Sequence, residues 1–159
     1  MKRSYLIIGL ICLLFAACSD NGGNKAKTND QASTPQSAEV TEEKVEKEVD
    51  PMSNKGIGPV SSVELGDVDD AMVAEGMELF KTKCSACHKI EKRYIGPKLA
   101  GVTTRRTPEW IMNMILNPEE MVANDPIAKK LLMEYNSPMA NQSLVEDEAR
   151  KILEYFRTI

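Results

Sequence analysis

"KCSACHKI" (Lys83–Ile90) contains the chain's only histidine and two of its four cysteines. Cys84 and Cys87 stand three residues apart, and His88 follows the second directly. Three common uses of cysteine fit this stretch poorly. A closed zinc site takes four ligands, and the cluster supplies three. A redox dithiol of this spacing belongs beside a strand–helix–strand unit, and no alternating strand pattern surrounds it. A Cys84–Cys87 disulfide leaves the imidazole without a role. Covalent attachment of a c-type haem uses all three side chains: each thiol adds across one vinyl group of the porphyrin, and the imidazole becomes the proximal iron ligand. Shuffled sequences of this composition contain the pattern roughly once in 2,000. One covalent haem c on Cys84, Cys87 and His88 is therefore expected.

Outward from the motif the pattern is helical. Asp69 or Asp70 can cap a helix that puts Val73, Gly76, Met77, Phe80 and Cys84 on one face. "RYIGPKLAGVTTRR" (Arg93–Arg106) carries Gly and Pro breakers and reads as loop. Thr107-Pro108-Glu109 is a cap, a first-turn proline and a dipole-matched acid, opening a helix with Trp110, Ile111, Met114 and Ile115 inward. The device recurs at Asn117-Pro118 and at Asp125-Pro126, where Ile127, Ala128, Leu131, Leu132 and Tyr135 share a face. "SLVE" (Ser143–Glu146) fits a capping box before a helix with Val145, Ala149, Ile152 and Phe156 inward. The fold class is all-α: about five short helices, with too few large aromatics for a full core, packed around the haem.

The N-terminal third reads differently. Lys2 and Arg3 precede "YLIIGLICLLFAA" (Tyr5–Ala17), a charge-free apolar run shorter than the roughly 20 residues of a membrane span. Residues 1–17 are expected to be a signal peptide. "FAAC" (Phe15–Cys18) resembles the lipobox of bacterial lipoproteins and makes Cys18 the expected lipidated N-terminus. From Ser19 to Lys55 there is no Leu, Ile, Phe, Tyr or Trp. Such a segment buries too little apolar surface to offset its ordering entropy, so residues 18–55 read as a lipidated end and a disordered charged tether. A flexible chain of that length reaches roughly 30–36 Å. The folded domain is expected over 56–159, with residues 56–68 as an extended wrap.

With these parts in order, the segment from about Asp69 to Phe156 resembles small bacterial class I monohaem cytochromes c. The matching features are Gly76 and Phe80, the Cys84–His88 motif, "GPKLAGV" (Gly96–Val102), the helix at Trp110, "NSPMA" with Met139, and "ILEYF" (Ile152–Phe156). The resemblance implies that the Pro97 carbonyl accepts a bond from His88 Nδ1, although a rigid loop corner would also explain that proline. It implies that Met139 is the distal iron ligand, with Met133 and Met121 as fallbacks. Met77 and Met114 read as packing, whereas Met112 and Met133 fall off the apolar stripes. Leu99, Arg105 and Trp110 are expected in the haem pocket, and Arg105, Arg106 or the Trp110 N–H could meet the propionates. "RRTPEWIMNMILNPEEMVANDPIAKKLL" (Arg105–Leu132) is further similar to cytochromes encoded with nitrous oxide reductases.

His/Met ligation fills both axial positions and suits one-electron transfer rather than catalysis on a bound substrate. The expected activity is therefore non-enzymatic: a lipid-anchored carrier on the periplasmic side of a bacterial membrane, passing electrons between respiratory redox proteins. A haem-based sensor or gas-binding module, or the electron-entry subunit of a larger oxidoreductase, are the alternatives. Without Lys2 and Arg3 the chain holds 18 basic against 24 acidic side chains, which argues against nucleic acid as partner. Yet Lys81–Arg106 has eight basic residues and only Glu91 acidic. That cluster is either a solvated face or a docking collar for acidic partner surfaces.

Overall fold

The computed structural model describes residues 49–159. The expected signal peptide, Cys18 and the tether as far as residue 48 lie outside the described residues. The Asp69 carboxylate accepts from the Ala71 and Met72 N–H groups and starts α1 (Asp70–Leu79). The helix does not end at Leu79. It continues through a π-helical turn, Phe80–Cys84, closed by the Ser85 N–H on the Phe80 carbonyl at 3.0 Å. A π turn takes one more residue than an α turn and so rotates the side chains beyond it about the helix axis. Phe80 stays in the core, and Cys84 is partly buried against it.

The three Xaa-Pro starts appear as α2 (Pro108–Leu116), α3 (Pro118–Asn124) and α4 (Pro126–Tyr135). Thr107 Oγ1 accepts from the Trp110 N–H at 3.1 Å, and Asp125 Oδ1 accepts from the Ala128 N–H at 2.8 Å. Asn117 makes no cap bond; its Nδ2 donates to Glu120 Oε2 and to the Ile57 carbonyl. The last helix, α5 (Glu146–Phe156), starts two residues later than the Ser143 box suggests. Ser143 adopts φ 54 and turns the chain, Glu148 Oε2 accepts from the Val145 N–H, and Val145 lies exposed rather than inward. Among the described residues there is no strand, and the architecture is all-helical.

α1 and α5 form the most extensive helix–helix contact. They meet at Gly76, where a Cβ would stand 2.0 Å from the Lys151 carbonyl oxygen. Below the crossing the rings of Phe80, Tyr155 and Phe156 pack with centroids 5.7–6.1 Å apart. Met77, read as packing, is 45% exposed, because the glycine contact takes the centre of that face.

Residues 54–68 run along α2 as a strap held by hydrogen bonds, from Thr107 at Asn54 to Asn117 at Ile57 and back past Asn113 at Val60 to Glu109 at Val63. Glu109, Asn113 and Asn117, each four residues apart, share one face of α2 and bind the strap's backbone. Asn113 accepts from the Val60 N–H and donates to the Val60 and Lys55 carbonyls, all at 2.9 Å. Glu109 accepts from the Val63 N–H at 3.3 Å. Gly58 lets the strap come this close, since a Cβ would fall 2.4 Å from Asn113 Oδ1. Asn54 also belongs to this region, donating to Asp125 Oδ2 and accepting from the Gly56 N–H. Met112, off the main apolar stripe, is only 2% exposed and belongs to the core, and α2 packs against α5 as well as under the strap.

A second anchor closes the strap's far end. Glu154 on α5 is fully buried, paired with Arg150 and Arg157, and accepts the Asp69 N–H at 3.0 Å. Arg157 also donates to the Gly66 carbonyl at 2.7 Å. Burial pushes this carboxyl up, but the hydrogen bonds from Arg157, Arg150 and Asp69 outweigh it and hold the pKa at about 2. A depressed folded-state pKa contributes stability that is complete above the ordinary carboxylate range and is lost as pH falls toward 2. Glu154→Gln is therefore expected to cost on the order of a few kcal/mol at pH 7. Its unfolding free energy should converge on that of the wild type between about pH 5 and pH 2. Denaturant titrations across that range check this; parallel curves would mean the carboxylate does not contribute.

Candidate functional site

The helices and the loop after the π turn enclose an apolar cavity of about 430 Å³. Cys84, Cys87 and His88 line it together, from the π turn and the turn after it, where the Cys87 and His88 N–H groups both donate to the Cys84 carbonyl. Both cysteines are free thiols. Burial, then the neighbouring Cys87, pushes the Cys84 thiol up to about 11, so it stays protonated. The His88 ring faces the cavity with Nδ1 at 3.1 Å from the Pro97 carbonyl. As donor in that bond, Nδ1 leaves Nε2 as the basic nitrogen. Burial pulls the imidazole pKa down, which favours the neutral, ligating form, and the Pro97 bond opposes this only in part.

Gly96 makes this placement sterically feasible. A Cβ there would meet the His88 ring at 2.5 Å from Cε1 and 2.9 Å from Nδ1. The Gly96 N–H donates to the Cys87 carbonyl at 2.9 Å, tying the loop back onto the motif. Pro97 takes the place that the resemblance implies, whereas Gly96 reads in sequence only as part of a breaker pair; that it seats the imidazole needs the fold.

The other expected pocket residues are brought to the same cavity. Leu99, Pro97, Arg105, Trp110 and Met139 all line it, and Leu99 is buried. Two details differ from expectation. The Trp110 N–H is committed to Asp125 Oδ1 at 3.1 Å and is not free for a propionate. Arg105 donates to the Ala100 and Lys98 carbonyls, bracing its own loop. Arg106 lies over the Trp110 ring at 5.2 Å and also lines the cavity. Burial and the adjacent Arg105 lower its pKa, while Asp125 acts the other way.

The methionines separate by position. Met133 is 76% exposed on the outer side of α4. Met121 is fully buried beneath the strap, its sulfur 3.0 Å from the Ile57 N–H, and does not line the cavity. Met114 and Met139 do line it; Met114 lies within α2, and Met139 in the irregular segment after α4. Of the basic cluster, Lys83, Lys98, Arg105 and Arg106 stand at the cavity, whereas Lys89 donates to the Ser85 carbonyl and Arg93 pairs with Glu134.

The residues fit a covalently held haem. Two free thiols and an oriented imidazole face an apolar space large enough for a cofactor. Among the described residues no three His, Cys, Asp or Glu side chains gather as a metal cage of their own.

Comparison with known proteins agrees. The cytochrome c family model matches residues 73–159. The structure of a cytochrome c from Rhodothermus marinus is 47% identical, with a TM-score of 0.63, covering 64% of this chain and 88% of its own. An engineered Rhodothermus marinus cytochrome c gives 46% identity and a TM-score of 0.62, covering 64% of this chain and 89% of its own. No curated protein matches the chain.

Gly96→Ala should displace the imidazole and destabilise the domain by about 1–3 kcal/mol, the usual range for overpacking. The expected readouts are a lower haem-to-protein ratio and a lower unfolding midpoint; values equal to the wild type would mean the ring has room to move.

Proposed function

The chain belongs to the cytochrome c family, a haem-based electron carrier with covalently bound haem c, and on that premise we propose how it is ligated, anchored and partnered. Cys84 and Cys87 would hold the haem as thioethers, and His88 and Met139 would be the side chains that ligate its iron. Bound there, the group would supply one-electron redox chemistry. The residues of the chain do the rest. Pro97 and Gly96 fix the His88 tautomer and angle, and the apolar wall from Leu99, Trp110 and α4 keeps water away from the cofactor. The observation that carries this reading is the His88 ring in the cavity, tied through Nδ1, beside two free thiols. For Met139 the support is its place in the same cavity wall, which Met121 and Met133 do not share.

The carrier is lipid-anchored through Cys18 on the periplasmic side of a bacterial membrane. The residues beyond the signal run serve as its leash to redox partners, a nitrous oxide or other terminal reductase among them. Lys83, Lys98 and Arg106 at the cavity mouth favour partners with acidic docking surfaces, an attraction that weakens as salt shortens the Debye length to about 8 Å. No helix among the described residues is long and apolar enough to cross a membrane, so the anchoring reading rests on the N-terminal sequence.

Met139→Ala should lower the reduction potential by on the order of 100 mV and let carbon monoxide bind the reduced protein, while Met133→Ala does neither. Absorption spectra and redox titration decide; carbon monoxide binding to the wild type would favour a gas-binding module instead. Cys18→Ser should move the protein from the membrane to the soluble fraction. Its retention on salt-washed membranes would remove the lipid anchor.

A further inference from the structure

Arg93, five residues after His88, reaches the far end of α4. Its Nη1 donates to Glu134 Oε1 at 3.0 Å, and its Nη2 donates to the Glu134 main-chain carbonyl at 2.9 Å. Its guanidinium carbon lies 4.0 Å from the centroid of the Tyr135 ring, which lines the cavity. One side chain thus makes an ion pair, fills one of the carbonyls that a helix end leaves without a donor, and stacks on an aromatic face. The loop that carries Arg93 is itself fixed to the motif, by the Tyr94 N–H on the Gly96 carbonyl and the Gly96 N–H on the Cys87 carbonyl. The guanidinium therefore joins the His88 segment to the last turn of α4.

That last turn is where the Met139 segment begins. Asn136 leaves the helix at φ 49, and residues 136–145 have no regular secondary structure. Their side-chain hydrogen bonds are few. Gln142 donates to the Ala140 carbonyl and Asn141 Oδ1 accepts from the Ser143 N–H, both within the segment; Asn141 donates to Glu119 at a long 3.4 Å, and the Val145 N–H at the downstream end donates to Glu148. Met139 and Leu144 supply apolar contact with the core. The segment is loosely held along its length and firmly held at its upstream end.

We propose that Arg93 is a positioning residue for Met139: by fastening the end of α4 to the His88 segment, it sets how often the Met139 segment swings away from the cavity. This rests on the reading of Met139 as distal ligand. A small ligand reaches the sixth position through the open fraction, so its entry rate reports the latch. Arg93→Lys keeps the charge but loses the planar fork, so it restores only part of the effect.

The test is stopped-flow binding of imidazole to the oxidised full-length holo-protein, with amide hydrogen exchange of residues 137–142 on the same samples. Arg93→Ala should speed imidazole entry about tenfold, equivalent to about 1.4 kcal/mol, and quicken exchange across the segment. Arg93→Lys should fall between it and the wild type. Glu78→Gln, which removes the exposed Lys81–Glu78 pair elsewhere, should match the wild type. In a Met139→Ala background, where the segment no longer gates entry, adding Arg93→Ala should change nothing further. If Met139→Ala speeds entry and Arg93→Ala does not, the latch is wrong and the ligand reading stands. If neither speeds entry, the ligand reading is wrong and the latch falls with it.

Discussion

The contact between Gly76 and the Lys151 carbonyl is the constraint on which the domain turns. It lets α1 and α5 approach more closely than any side chain would allow, and so joins the two ends of the folded region. The Phe80–Tyr155–Phe156 cluster depends on that crossing, because Phe80 lies four residues beyond Gly76 and faces the same partner. Directly after Phe80 the π turn delivers Cys84, and the next turn delivers Cys87 and His88. The position of the motif is therefore inherited from a helix crossing two turns away.

A second principle organises the rest: buried polar side chains bind backbone that has no ladder of its own. Asn113 and Glu109 do this for the strap, Glu154 for the Asp69 N–H at its far end, and Asp125 for the start of α4 while it also holds the Asn54 side chain. At the buried Val60 and Ala128 N–H groups a missing partner would cost roughly 1–3 kcal/mol apiece. Among the described residues no buried side-chain nitrogen or oxygen lacks a partner. In an extended strap these bonds replace secondary structure.

The cavity combines firm and loose walls. The wall beside His88 is stiffened by the Pro97 bond, the Gly96 fit and the Arg105 brace. The wall after α4 is irregular and rests on a few contacts, with Arg93 bonded to Glu134 at the helix end before it. A wall that holds still beside His88 suits a haem-based electron carrier, whose geometry should change little on electron transfer.

The sequence by itself determined the chemistry and most of the local structure. Cys84, Cys87 and His88 are close in the chain, so their joint use needs no tertiary information, and Thr107 and Asp125 cap their helices through bonds within four residues, each ahead of a first-turn proline. Hydrophobic periodicity was sufficient for an all-α class because no run alternates. Only the tertiary structure decided what depends on partners distant in the chain. Glu109, Asn113 and Asn117 at four-residue spacing were a visible signal for a covered polar face, but what covers it lies some fifty residues upstream. Shorter separations, still beyond one helical turn, hid the commitment of the Trp110 N–H to Asp125 fifteen residues on and the seat that Gly96, eight residues on, provides for His88. The start of α5 moved because Ser143 turns the chain, which a capping pattern read over four residues cannot anticipate. Local bonds are written in neighbouring letters, whereas a contact between distant segments exists only once the whole chain has packed.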